Sequence, residues 1–115
     1  PTIWKGSEKA IREYLFIDDA VDAYLGLSKN IDVTQGKGYN VGSGEKVNVE
    51  DLLNLLLKTM NSNLGITYQE KDFPEIQNQY LDSSLIKKDI NWMPSTSLDQ
   101  GLEKTISFFK NILKK

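Results

Sequence analysis

The run Arg12-Glu13-Tyr14-Leu15-Phe16-Ile17-Asp18-Asp19-Ala20-Val21-Asp22-Ala23-Tyr24-Leu25 changes period halfway. Its first part is aromatic and branched and is entered from the Lys5-Gly6-Ser7 turn, so residues 12–17 are predicted to form a strand. A helix is expected at once afterwards. Asp19 can cap it, Asp22 suits the positive end of the helix dipole, and Val21, Tyr24 and Leu25 form an apolar stripe that runs out near Lys29-Asn30.

Working outward, Gln35-Gly36-Lys37-Gly38 reads as a loop, and Tyr39-Asn40-Val41 as a short strand closed by Gly42-Ser43-Gly44. From Asn48, a suitable cap, Leu52, Leu53, Leu56, Leu57 and Met60 recur at helical spacing and predict a helix with a broad buried face. Ile66-Thr67-Tyr68-Gln69 reads as a strand, Phe73-Pro74 interrupts it, and Tyr80-Leu81 is extended before a helix capped at Asp82. Ser97 and Gln100 form a capping-box pair for a last helix striped by Leu98, Leu102, Ile106, Phe109 and Leu113. Lys110, Lys114 and Lys115 complement its C-terminal dipole. Leu52, Leu56, Trp92, Phe108 and Phe109 are expected in the core. No repeat, low-complexity tract or linker divides the chain, so residues 1–115 read as one small α+β domain of helices with short strands.

Composition narrows the chemistry. With 39% hydrophobic and 26% charged residues the chain has ordinary globular usage and is expected to fold. A net charge of −2 provides no general drive toward nucleic acid or anionic lipid. No apolar run approaches the roughly 20 residues of a membrane span, and Pro1-Thr2-Ile3-Trp4 does not begin a secretory signal, so a soluble cytoplasmic protein is expected. The absence of Cys and His removes disulfides, thiolate sites, imidazole bases and the Ser-His-Asp arrangement.

The remaining motifs are sparse. Gly36, Gly38 and Gly42 give G-x-G-x-x-x-G, which lacks the dinucleotide-binding spacing and precedes a predicted strand instead of joining a strand to a helix. No Tyr is followed four positions later by Lys. Arg12 is the only Arg among 14 basic residues. Its planar fork can grip two phosphate oxygens at once, which a mobile Lys charge does not do. A surface salt bridge at a strand start is the competing role.

The run from Arg12 to Leu25 resembles the R-[DE]-[YFW]-x-[YFH]-V-x-D-x-x-x-A block of extended short-chain dehydrogenases acting on nucleotide sugars. Tyr39-Asn40-Val41-Gly42-Ser43-Gly44 resembles that family's Y-N-[ILV]-G-x-G segment. Trp92-Met93-Pro94 and Leu98-Asp99-Gln100-Gly101-Leu102-Glu103-Lys104-Thr105-Ile106 resemble its L-G-W-x-P and S-L-x-x-G-L-x-x-T-I ending. The likeness covers nearly the whole chain but only about the last third of such an enzyme. Within the family, Glu75-Ile76-Gln77-Asn78-Gln79-Tyr80-Leu81-Asp82 is similar to the branch around CDP-glucose 4,6-dehydratase.

The resemblance implies a C-terminal substrate-binding domain whose Rossmann half, with its NAD and catalytic Tyr, is absent, and a parent enzyme that is an NAD-dependent epimerase or dehydratase and a homodimer. The fragment itself is expected to be inactive and to bind no cofactor; its partners are a nucleoside-diphosphate sugar and the missing Rossmann domain. The resemblance implies that Arg12 binds the diphosphate and Asn40 lies near it, although a turn amide serving local backbone is Asn40's alternative role. Trp4 corresponds to the aromatic that lies against the base, a core or edge position being the commoner role for a Trp. Asp19 matches a family Asp and is read as a cap. Many members carry a second phosphate-binding Arg in the stretch matching residues 67–72, where this chain offers Lys71 as a weaker clamp. Glu75 or Gln79 is the alternative nucleotide contact. The rival reading is a stand-alone nucleotide-binding or protein-interaction module. A severed domain should expose an apolar patch that an adapted one would have lost.

Overall fold

The computed structural model describes residues 1–113, in the order β1 (Thr2–Trp4), β2 (Ile11–Glu13), α1 (Ile17–Lys29), α2 (Ile31–Thr34), β3 (Lys46–Asn48), α3 (Val49–Thr59), β4 (Thr67–Gln69), α4 (Ser84–Ile90) and α5 (Leu98–Leu113). Two two-stranded sheets form: β1 lies parallel to β4, with Ile3 beside Tyr68, and β2 lies antiparallel to β3, with Arg12 beside Val47. Residues 77–79 add a parallel bridge to β2, where the Ile11 amide donates to the Gln77 carbonyl and the Gln79 amide to the Ile11 carbonyl. Sheets this small bury little by themselves, so the helices hold the unit together.

Local chemistry places two helices where the sequence predicts them. Asn48 Oδ1 accepts from the Asp51 amide at 2.7 Å, and the preceding turn serves two more first-turn amides: Val49 N donates to Ala10 O and Glu50 N to Glu8 O. At α5, Ser97 Oγ accepts from the Gln100 amide while Gln100 Oε1 accepts from the Ser97 amide, the reciprocal capping box. Lys110 lies in the last turn of α5; the expected contribution of Lys114 and Lys115 lies outside the described residues.

Several expectations are corrected. The strand ends at Glu13, and residues 14–16 lead directly into α1, whose N-cap is Phe16 and has no side-chain cap. Asp19 is therefore inside the helix instead of capping it, and it is 2% exposed. Residues 39–41 form no strand: no neighbouring strand pairs with them, and side-chain contacts tie the segment to α4 instead. Tyr39 Oη donates to Asp89 Oδ2 at 2.7 Å and the Gly42 amide donates to Ser83 Oγ at 2.8 Å, pinning the segment along α4. The α4 N-cap is Ser83; Asp82 serves one position earlier, accepting from the Ser84 amide at 2.9 Å.

The core is small: Ala23, Ile86 and Trp92 are buried, with Leu15, Leu27, Tyr39, Val41 and Ile90 packed around them. The α1 stripe does not face it, since Ile17 (66% exposed), Val21, Tyr24 (76%) and Leu25 all meet solvent. Leu52 and Leu56 of α3 are half-buried and border an open apolar cleft with Leu98 and Leu102 of α5. Phe108 and Phe109, expected in the core, are exposed and pack edge to face with each other at 5.4 Å. The radius of gyration of 17.0 Å exceeds the roughly 13 Å of a closed domain of this length, in keeping with the flattened extents of 50 × 39 × 20 Å.

Candidate functional site

Parallel pairing of β1 with β4 carries the two segments that follow them, residues 5–7 and 70–75, side by side. The turn after β1, closed by the Ser7 amide on the Trp4 carbonyl at 3.0 Å, sets Ser7 in a 5% exposed position. Arg12 reaches the same point from β2. Its Nη1 donates to the Ile11 carbonyl at 2.8 Å and its Nη2 pairs with Glu75 Oε1. Lys71 Nζ lies 2.6 Å from Glu75 Oε2 and 2.8 Å from Ser7 Oγ, and the Ser7 hydroxyl donates to Glu75 Oε2 at 2.7 Å. The side chains of Arg12, Glu75 and Lys71 are 19%, 20% and 6% exposed, so the cluster is shielded but reachable.

Both oxygens of Glu75 are thus occupied. Hydrogen bonds from Lys71 and Ser7, with the added charges of Lys71 and Arg12, hold its carboxyl below the usual carboxylate range against the opposing effect of burial. An aromatic pair flanks the cluster: Trp4 meets Phe73 edge-on at 6.2 Å, and Lys71 Nζ sits 5.1 Å from the Phe73 ring centre. Trp4 is 42% exposed on a sheet edge.

On the other side of Arg12 opens a cleft of about 330 Å³ whose wall includes Tyr14, Gly42, Gln79 and Tyr80. The Gln79 amide holds Ile11 while its side chain faces this cleft. Glu13 braces the rim: its Oε1 accepts from the Gly44 amide and its Oε2 from the Leu81 amide at 2.8 Å. Gly42 lies close beside it: a Cβ there would stand 2.6 Å from Glu13 Oε1, so the carboxylate would have to shift to admit a side chain.

Of the six candidate residues, Arg12, Lys71 and Glu75 are in direct contact, Trp4 adjoins them through Phe73, and Gln79 shares the Arg12 cleft. Asn40 is not in this contact set: its Nδ2 donates to the Asp82 carbonyl at 3.2 Å, a backbone partner 42 residues away. Sequence reasoning missed Ser7 and Glu13. Nothing in its local sequence marks Ser7, whereas Glu13 is the acidic second position of the R-[DE] block.

The described residues carry no dinucleotide-binding glycine turn. Gly36, Gly38, Gly42 and Gly44 lie between α2 and β3, none links a strand end to a helix N-terminus, and α1 and α3 both begin without a glycine turn. Among the described residues there is also no group of three acidic side chains arranged for a metal, and no helix long and apolar enough to cross a membrane. What the site offers is anion and aromatic recognition.

No family model matches the chain. The dTDP-glucose 4,6-dehydratase of Haemophilus influenzae is 34% identical over 119 residues, covering 90% of this chain and 34% of the relative. The UDP-glucose 4-epimerase of Mycolicibacterium smegmatis is 24% identical over 92% of the chain and 33% of the relative. Among solved structures, UDP-glucose 4-epimerase from Thermotoga maritima with UDP-glucose superposes with a TM-score of 0.81 at 27% identity, over 97% of this chain and 35% of that one. UDP-glucuronic acid 4-epimerase from Bacillus cereus, with UDP-glucuronic acid and NAD, gives a TM-score of 0.85 at 22% identity, over 96% and 35%. The chain therefore spans about a third of the length of the curated relatives it matches. In sequence and fold together the chain is similar to nucleotide-sugar epimerases and dehydratases of the extended short-chain dehydrogenase type, over the C-terminal part of those relatives.

Proposed function

We propose that this chain is the substrate-holding portion of an NAD-dependent nucleotide-sugar epimerase or dehydratase, and that it binds the nucleoside diphosphate through Arg12 and Lys71. The observation that carries this reading is the meeting of those two cations, from different parts of the chain, beside the half-exposed Trp4–Phe73 pair and the Arg12 cleft. Two point charges bridged by one anion suit a diphosphate, and an aromatic face beside them suits a base. Gln79, in the wall of the Arg12 cleft, would lie along the path between phosphate and sugar, and Asn40 is the further candidate contact near the diphosphate.

In this reading hydride transfer takes place in the N-terminal domain of a longer parent, a homodimer, to which this portion delivers substrate. Binding energy spent on the diphosphate, remote from the reacting carbon, would position the sugar there. The uncovered stripe of Ile17, Val21, Tyr24 and Leu25 supports such a partner domain, since a surface adapted to solvent would not carry it. The run from Glu75 to Asp82 supports a place near the CDP-glucose 4,6-dehydratase branch.

The test is an NMR titration of the chain with uridine and cytidine diphosphates. Amide shifts are expected around Arg12, Lys71 and Trp4 and should vanish in Arg12→Ala; binding indifferent to that change removes the assignment. Turnover of a nucleotide sugar with added NAD by the purified chain would show that this portion does more than hold substrate.

A further inference from the structure

The three donors that would be needed for a diphosphate are already spoken for by one carboxylate. Arg12 Nη2 takes Glu75 Oε1, while Lys71 Nζ and Ser7 Oγ take Glu75 Oε2. Glu75 bridges the same two cations that a pair of phosphates would bridge. It cannot stay there beside a diphosphate, because a third negative charge would then face only two cations. Nor can it serve as the phosphates' hydrogen-bond donor, since its neighbours keep it ionised at neutral pH.

The backbone around Glu75 allows it to leave. Residue 75 belongs to no helix or strand. Its carbonyl meets only the Gln77 Nε2 at 3.4 Å, and the first ladder contact to β2 is at Gln77. Arg12, by contrast, is set by the pairing of β2 with β3, while Lys71 follows β4 by two residues.

We propose that Glu75 is the resident anion of the diphosphate site: it keeps Arg12 and Lys71 gathered in the empty protein and is exchanged for the ligand's phosphates on binding. The proposal rests on the reading of Arg12 and Lys71 as the diphosphate clamp. Its consequence is that the site's affinity is set below what its two cations could reach, because each binding event displaces an internal competitor. Selectivity follows too. A neutral nucleoside does not compete with a carboxylate and gains nothing from its departure.

The experiment is calorimetric titration of uridine diphosphate, inorganic pyrophosphate and uridine into the full chain, Glu75→Gln and Arg12→Ala, with thermal melts to verify folding. Glu75→Gln keeps the shape and removes the charge. It should bind the diphosphate and pyrophosphate about tenfold more tightly, with uridine unchanged. Weaker binding by Glu75→Gln would make Glu75 a ligand contact, and unchanged binding would mean it is not in the way; either overturns the proposal. Loss of binding in Arg12→Ala without a gain in Glu75→Gln would leave the clamp standing and sink only the exchange. Diphosphate binding that ignores Arg12→Ala, or no binding by any of the three, removes both. Should Glu75→Gln fold poorly, carboxyl ¹³C NMR of the unaltered chain decides the matter. On saturation with pyrophosphate the Glu75 pKa should rise toward its ordinary value, and an unmoved titration overturns the exchange.

Discussion

Asp19 and Glu75 are both withdrawn carboxylates with lowered pKa values, yet they are held in opposite ways. Asp19 lies inside α1, 2% exposed, and accepts from the Ser95 amide at 3.0 Å, the Ser95 hydroxyl at 2.8 Å and the Thr96 amide at 3.1 Å. Those donors are mostly backbone and stay where the fold puts them. Glu75 is held by a guanidinium, an ammonium and a hydroxyl on movable side chains. A carboxylate fixed by backbone amides is part of the scaffold. One gathered by flexible cations stands at a place where another anion could stand, so burial and a depressed pKa alone do not separate structure from function.

The sharpest way to break this contrast is Asp19→Ala. Removing a buried acceptor from three donors should cost about 2–3 kcal/mol, lowering the melting temperature by roughly 10 °C, while diphosphate affinity measured on the folded fraction stays unchanged. If affinity fell with it, the two carboxylates would not be separable. Arg12→Ala should do the reverse: affinity for uridine diphosphate about ten- to a hundredfold lower in calorimetry, from the loss of a charge-assisted contact, with the melting temperature nearly kept.

Gly42→Ala tests whether the rim braced by Glu13 matters to the site. The new methyl would push the Glu13 carboxylate off the Gly44 and Leu81 amides, and a loss of about 1 kcal/mol in urea unfolding is expected. The smallest effect is in acid. At Asp19 burial pushes the pKa up and the Ser95 and Thr96 hydrogen bonds override it, leaving the folded value below the ordinary 3.8; Glu75 is likewise below its ordinary 4.5. A lowered folded pKa means the unfolded chain binds more protons, so both contributions are complete above those ordinary values and disappear as pH falls through the folded ones. Stability should therefore drop below about pH 4, and a melting series should show a shallower drop in Asp19→Asn and in Glu75→Gln.

What the sequence by itself determined is local. The helix from Asn48 and the capping box at Ser97 and Gln100 join partners three residues apart, and the strand at residues 67–69 and the loop at 35–38 follow from side-chain type and glycine. Arg12 was legible as the lone guanidinium, and the ordered blocks around it carried the family. Tertiary structure decided everything that depends on distant partners. Asp19 looked like a cap because a carboxylate near a helix start usually is one, but its oxygens accept instead from donors 76 and 77 residues away. The stripes on α1 and α5 announced an apolar face without saying what covers it, so Tyr24 of the one stands exposed, as does Phe109 of the other, which was expected inside. The clamp is the clearest case. Arg12 and Glu75 lie 63 residues apart, and only the parallel pairing of β1 with β4, which brings Lys71 and Ser7 to the same point, makes one site of residues whose spacing in the chain carries no signal.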